Sequence, residues 1–195
     1  MTNTIIILRH GKTEAGEKWL YCGSTDLPLS GGGKAGLTEL KNTYGYPDVS
    51  GYDFYTTGML RTNETLNILY GDVPYESVPA LREMDFGIFE MRNYDELKDI
   101  PEYVSWLNDP ENVRVPGGGS SPEMKARVLS AFSDIAAKGR DSVIVMHGGP
   151  ISAIMESLFP NENKSRIDWQ PDAGCGYEIL FEDGEPVSYR AVPSR

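Results

Sequence analysis

The chain has 195 residues, of which 39% are hydrophobic and 24% charged, and its formal net charge is −11. That length and balance suit a single globular domain over residues 1–195 with a full core. An acidic surface disfavours nucleic acid and anionic membrane as partners, so any anion site must be assembled locally from a few arginines and backbone amides. The two cysteines, Cys22 and Cys175, have no metal-finger spacing and are expected as reduced thiols in a cytoplasmic protein. No structural zinc is expected from two histidines without a cysteine cluster. The first residues show no signal-peptide pattern, and no apolar run reaches the ~18 residues that a membrane span needs.

Residues 4–9 read as a strand, because Ile5-Ile6-Ile7-Leu8 is a short continuous apolar run of the kind buried on both faces of a parallel sheet. Helical spacing follows over 32–44, after the glycines 31–33. A short strand is expected at 52–56 and a helix over 58–70, with Leu60, Leu66, Ile68 and Leu69 offered to the core. Residues 75–78 read as another short strand. The stretch 94–108 reads as one helix or two, since Pro101 interrupts it. Residues 122–138 carry an amphipathic stripe of Met124, Val128, Leu129, Phe132, Ile135 and Ala136. Ser120 and Glu123 stand at capping-box spacing at its start. A second buried strand spans 142–147, and Pro150 opens a helix. Strands at 177–182 and 186–192 close the chain around the turn 182–185.

Strands alternating with helices predict an α/β fold, three layers with a mostly parallel central sheet and helices on both faces. The long irregular regions 10–31 and 84–121 should frame a cleft above it.

The only two histidines both stand where an apolar strand gives way to glycine: Arg9-His10-Gly11 and His147-Gly148-Gly149-Pro150. Ligands of open α/β sheets bind beyond the carboxyl ends of the strands. An arginine beside a histidine there offers a fork for an anion next to a nucleophile or base. The helix after His147 directs free amides and its dipole at the same place. Together these describe a pocket for a phosphoryl group. Arg61, after Thr57, lies at another strand-to-helix turn and could supply a second guanidinium. Glu83 and Asp85 are two carboxyls on a strand-following loop, and either could serve as a general acid.

These motifs, in this order, resemble the histidine phosphatase (phosphoglycerate-mutase-like) superfamily. Arg9-His10-Gly11, with Thr13, resembles its nucleophile motif. Residues Gly23-Ser24-Thr25-Asp26-Leu27-Pro28-Leu29-Ser30 resemble its glycine and Pro-Leu loop. Thr57 and Arg61, Glu83, the pair Pro116-Gly117-Gly118 and Arg127, and His147-Gly148-Gly149 continue the match.

The resemblance implies that His10 attacks phosphorus and becomes phosphohistidine. It implies that Arg9, Arg61 and His147 bind the phosphoryl oxygens, and that Glu83 protonates the leaving oxygen and then assists water. It also implies that no metal or organic cofactor is needed. Thr13, Gly23, Ser24, Gly148 and Lys12 are the candidate substrate-binding residues.

Departures from the family pattern are Gly16 where asparagine is common, Lys12 and Gly119 where glutamate is common, and Ser152 where a large residue is common. The expected function is hydrolysis of a small phosphomonoester, with α-ribazole phosphate, a sugar phosphate or a nucleotide as candidates and a homodimer left open. A cofactor-dependent mutase is the rival. Against it, Glu83 is followed by Met84-Asp85-Phe86-Gly87 with no histidine nearby, and Phe86-Gly87-Ile88-Phe89-Glu90 resembles the phosphatase branch. An inactive phosphate-binding regulator is the third reading.

Overall fold

A computed structural model describes residues 2–194. Strand β1 (Thr2–Arg9) lies inside a six-stranded sheet and pairs in parallel with β4 (Ser142–Met146). Beyond β4 come β2 (Asp53–Thr56) and β3 (Glu76–Ser77), both parallel. On the other side β1 meets β5 (Gly176–Glu182), which pairs with β6 (Glu185–Val192), both antiparallel. The order is β3-β2-β4-β1-β5-β6, so the sheet is mixed, with the parallel strands β3, β2, β4 and β1 on one side and antiparallel β5 and β6 on the other.

Helices cover both faces, because the strand period of two sends alternate side chains to opposite layers. Ile5, Ile7, Ile144 and Met146 pack with Met124, Val128, Phe132 and Ile135 of α6 (Ser121–Ala136) and Ile151, Ile154 and Met155 of α7 (Gly148–Leu158). Ile6, Leu8, Val143 and Val145 pack with Leu37 of α2 (Gly31–Tyr44) and Leu66 and Leu69 of α3 (Leu60–Tyr70).

The expected elements are present, with shifted ends. A short helix α1 (Glu14–Glu17) lies within the expected loop 10–31, capped by the Thr13 hydroxyl. Loop 84–121 contains α4 (Tyr94–Leu97) and α5 (Pro101–Asn108), so residues 94–108 form two helices, and Pro101 takes the first turn of the second. Only two residues of 75–78 pair as a strand.

Leu60 does not join the core; it is 46% exposed. Helix α3 starts there, and buried Met59 takes the inward position. Helix α7 begins at Gly148, two residues before Pro150. The proline sits in the first turn, where a missing N–H leaves nothing unpaired. Ser120 caps α6 by accepting from the Glu123 amide at 3.4 Å, while the Glu123 carboxylate pairs with Arg114. Among the described residues no helix is long and apolar enough to cross a membrane.

Candidate active site

Because β1 and β4 are parallel neighbours with Arg9 opposite Met146, the residues that follow them emerge side by side. His10 N–H donates to Met146 O at 3.0 Å. The rings of His10 and His147 meet edge-on, centroids 5.1 Å apart.

The His10 ring is oriented by its own turn. Nδ1 lies 2.7 Å from Gly11 O. A carbonyl oxygen only accepts, so Nδ1 carries the hydrogen and Nε2 keeps the lone pair. Burial, then the positive charge of Arg61, pushes the imidazole pKa down to about 3. His10 is therefore neutral at ordinary pH, with its free lone pair at Nε2.

Gly11 is packed tightly against α2. A Cβ there would meet the Leu37 side chain at 2.6 Å. Its N–H donates to the Thr65 hydroxyl, which donates to Arg61 O, and this ties the turn to α3.

Arg61 is completely buried. Its Nη1 and Nη2 donate to the carbonyls of Thr25 and Gly23, each at 2.8 Å, and Nε reaches His147 Nδ1 at 3.4 Å. Three of the five N–H groups of a guanidinium are thus committed. Asp26, from the same loop, accepts from the Leu60 amide at 2.8 Å and so caps the helix that carries Arg61. Since Arg61 Nε only donates, His147 Nδ1 accepts and Nε2–H donates to Thr57 Oγ1 at 3.1 Å. Burial first, then the charges of His10 and Arg61, holds the His147 pKa well below its ordinary value. Arg9 Nη1 donates to Pro171 O at 2.9 Å.

Glu83 and Asp85 meet different partners, although a spacing of two would set both on one face of an extended strand. Glu83 accepts from the Gly149 amide through Oε2 at 2.9 Å and from its neighbour Met84 N–H through Oε1 at 3.0 Å. Asp85 accepts from Ser24 Oγ and Gly87 N and braces a turn. Arg127 donates to the carbonyls of Ala80, Arg82 and Glu83, fixing the backbone that presents the carboxyl. A cavity of about 300 Å³ opens beside Glu83, lined also by Ser24, Arg82, Asp85, Ser120 and Arg127.

The remaining candidates scatter. The buried Thr13 hydroxyl accepts from Gly16 N–H at 3.1 Å as a helix cap. Gly23 is buried, and a Cβ would strike Met84 O at 1.7 Å. Ser24 is exposed at the rim. Gly148 begins α7 with the Gln170 side chain against it. Lys12 is exposed and lines a different cleft, of about 450 Å³, against α2. Of the aromatics in the two loops, Phe89, Tyr103 and Trp106 are core, Tyr21 and Phe86 pack on them, and Trp19 is 86% exposed. Among the described residues no group of three His, Cys, Asp or Glu side chains could hold a metal ion.

Glu90 was not singled out as a site residue by the sequence. It accepts from the amides of Gly23, Ser24, Thr25 and Phe86 and from the Thr25 hydroxyl. The signal available was a carboxylate in the loop whose sequence resembles the phosphatase branch.

Two histidines and two arginines lie together at the carboxyl ends of parallel strands of an α/β scaffold, the place where such folds bind ligands. The sequence profile of the histidine phosphatase superfamily (branch 1) matches residues 5–191, and the chain belongs to that family. It is 30% identical over 189 residues to the Adenosylcobalamin/alpha-ribazole phosphatase of Salmonella typhimurium, covering 91% of this chain and 90% of that one. It is 27% identical over 213 residues to a protein of Enterobacter sp. (strain 638) named Probable phosphoglycerate mutase GpmB, covering 97% and 96%. The crystal structure of the alpha-ribazole phosphatase from Shigella flexneri superposes with a TM-score of 0.81 at 23% identity, covering 98% of this chain and 96% of that chain. That likeness shows a shared fold.

Proposed function

We propose that the protein is a metal-independent phosphomonoesterase that works through a phosphohistidine at His10. The observation that carries this reading is the Nδ1 contact with Gly11 O, which leaves Nε2 as the only ring lone pair beside Arg61 and His147. The Nε2 lone pair attacks phosphorus as the ester P–O bond breaks. The leaving alkoxide takes a proton from the Glu83 carboxyl. Water then attacks phosphorus, gives its proton to the Glu83 carboxylate, and the P–N bond breaks to release phosphate and His10.

The two uncommitted N–H groups of Arg61, with Arg9, hold the phosphoryl oxygens as charge develops on them. In its present tautomer His147 has no N–H directed at His10. A bound phosphate dianion favours the protonated ring, which must then give up the Arg61 Nε contact and turn its Nδ1–H to a phosphoryl oxygen. Positive charge thus comes from side chains, where other phosphoryl-transfer enzymes use metal ions.

The organic part of the substrate extends into the cavity beside Glu83, whose size suits a small metabolite rather than a macromolecule. The names of the relatives support an α-ribazole-phosphate-like monoester. The compartment we propose is the cytoplasm, where cysteines spaced as Cys22 and Cys175 are stay reduced.

Acid-quenching destroys a phosphoramidate and alkali preserves it, so labelled substrate quenched in alkali should leave label on the wild type and none on His10→Ala. Label on serine, or label surviving in His10→Ala, overturns the assignment. Dialysis against EDTA should leave the rate unchanged. Release of the phosphoryl group to water in preference to an acceptor alcohol separates this reading from a mutase. Complete absence of turnover with retained phosphate binding would favour the inactive regulator.

A further inference from the structure

We infer that Glu90 is the positioning residue for Arg61, acting through the Gly23–Ser24 peptide unit. The inference rests on the reading of Arg61 as a phosphoryl ligand.

The Ser24 N–H donates to Glu90 Oε1 at 2.9 Å, and the Gly23 C=O on the same peptide accepts from Arg61 Nη2 at 2.8 Å. In a trans peptide these two groups point in opposite directions. One rigid peptide plane therefore lies between a carboxylate and a guanidinium, its dipole aligned with both charges. A second link runs through Thr25. Its N–H at 3.3 Å and hydroxyl at 2.6 Å donate to Glu90 Oε2, and its C=O accepts from Arg61 Nη1 at 2.8 Å.

The Gly23 and Phe86 amides complete five donors on one carboxylate, at 2.8 and 3.0 Å. The loop cannot drift toward Met84, because Gly23 already packs so closely that a Cβ would overlap Met84 O. Among the described residues no carboxylate lies directly on the Arg61 guanidinium; carbonyl dipoles and the His147 ring meet it instead. That choice has a chemical consequence. A carboxylate in direct contact would compete with a phosphate dianion for the guanidinium. A carboxylate one peptide away orients the donor fork and leaves its net positive charge for the ligand. Pre-set orientation of this kind is worth most where charge develops.

The test is a double-mutant cycle on the full chain, read by kcat/KM for p-nitrophenyl phosphate, by inorganic phosphate affinity from calorimetry, and by Tm. In Glu90→Gln one acceptor oxygen becomes an N–H₂ group facing an N–H donor, with little change of shape. Its loss should be about 10-fold in both kcat/KM and phosphate affinity when Arg61 is present, and under about two-fold when combined with Arg61→Ala. The Tm change should be the same in both backgrounds. Equal losses in both backgrounds, or no loss with Arg61 present, overturn the inference.

If Glu90→Gln does not fold, Glu90→Asp keeps the charge, shifts the clamp and is judged by the same coupling to Arg61. An Arg61→Ala protein with wild-type phosphate affinity and turnover overturns the phosphoryl-ligand reading and this inference together. A damaged Arg61→Ala with an intact Glu90→Gln overturns this inference alone.

Discussion

The Glu83 carboxylate accepts a hydrogen bond from the Gly149 amide at 2.9 Å, two residues after His147. The carboxyl is thereby docked on the first turn of the helix that His147 caps. A helix N-terminus favours a negative group, so the proposed acid and the second histidine share one rigid support.

Asp85 has no such link, and this separates the two carboxyls experimentally. Proton donation matters most when the leaving alkoxide is a poor one. Glu83→Gln should slow hydrolysis of alkyl phosphates about 10²-fold more than hydrolysis of p-nitrophenyl phosphate. Asp85→Asn, which disturbs the bonds to Ser24 and Gly87, should show no leaving-group dependence. Parallel rate series over leaving groups of graded pKa check both, and the dependence appearing in Asp85→Asn would move the acid to Asp85.

Arg61→Ala removes a charge-assisted contact and leaves the Gly23 and Thr25 carbonyls without their donor. The expected loss is on the order of 10²-fold or more in kcat/KM, by analogy with removal of one oxyanion donor. Steady-state kinetics on protein shown to be folded by circular dichroism measures it. A near-wild-type value would assign the role to another cation.

Stability should fall in mild acid. Both histidine pKa values are lowered in the folded protein, His10 to about 3 and His147 well below its ordinary value. Unfolded histidine titrates near ~6.5. Above that value both states are neutral and the stability is fully present. As pH drops below it the unfolded chain takes up protons that the folded chain refuses, and stability falls by up to about 1.4 kcal/mol per pH unit for each histidine. Urea unfolding at a series of pH values from 7.5 downward measures the slope. His10→Asn should make it shallower, and added phosphate should oppose the loss. A slope unchanged by His10→Asn would show that His10 takes no part in it.

Met91 is held at φ +59°, in the left-handed region that glycine adopts without a Cβ clash, and it is 39% exposed. Met91→Gly relieves that strain and forfeits little packing, while the freer unfolded chain offsets part of the gain. The net effect should be a stabilisation of about 0.5–1 kcal/mol, seen as a rise of about 1–4 °C in Tm. Differential scanning calorimetry checks it, and a fall in Tm would show that the Met91 side chain contributes more by packing than the backbone loses by strain.

The sequence by itself determined the strands of the sheet's centre, because continuous apolar runs such as Ile5-Ile6-Ile7-Leu8 and Val143-Ile144-Val145-Met146 have only one place to go, between two helical layers. It determined that His10 and His147 stand at strand ends, since glycine follows each run at once. It could not tell Glu83 from Asp85 by residue type. That decision lay in where loop 82–87 meets the start of α7 and in the three carbonyls that Arg127 fixes, all long-range contacts. The exposed Leu60 has the same origin: hydrophobic spacing is read modulo one turn, and the Asp26 carboxylate capping the Leu60 amide sets where the turn begins. Asp26 and Glu90 do their work through backbone amides of residues far along the chain, and Gly11 through its own amide on the Thr65 hydroxyl. Backbone donors and acceptors are the same at every residue, so no side-chain pattern announces them. Only the tertiary fold places the Gly23–Ser24 peptide between Glu90 and Arg61.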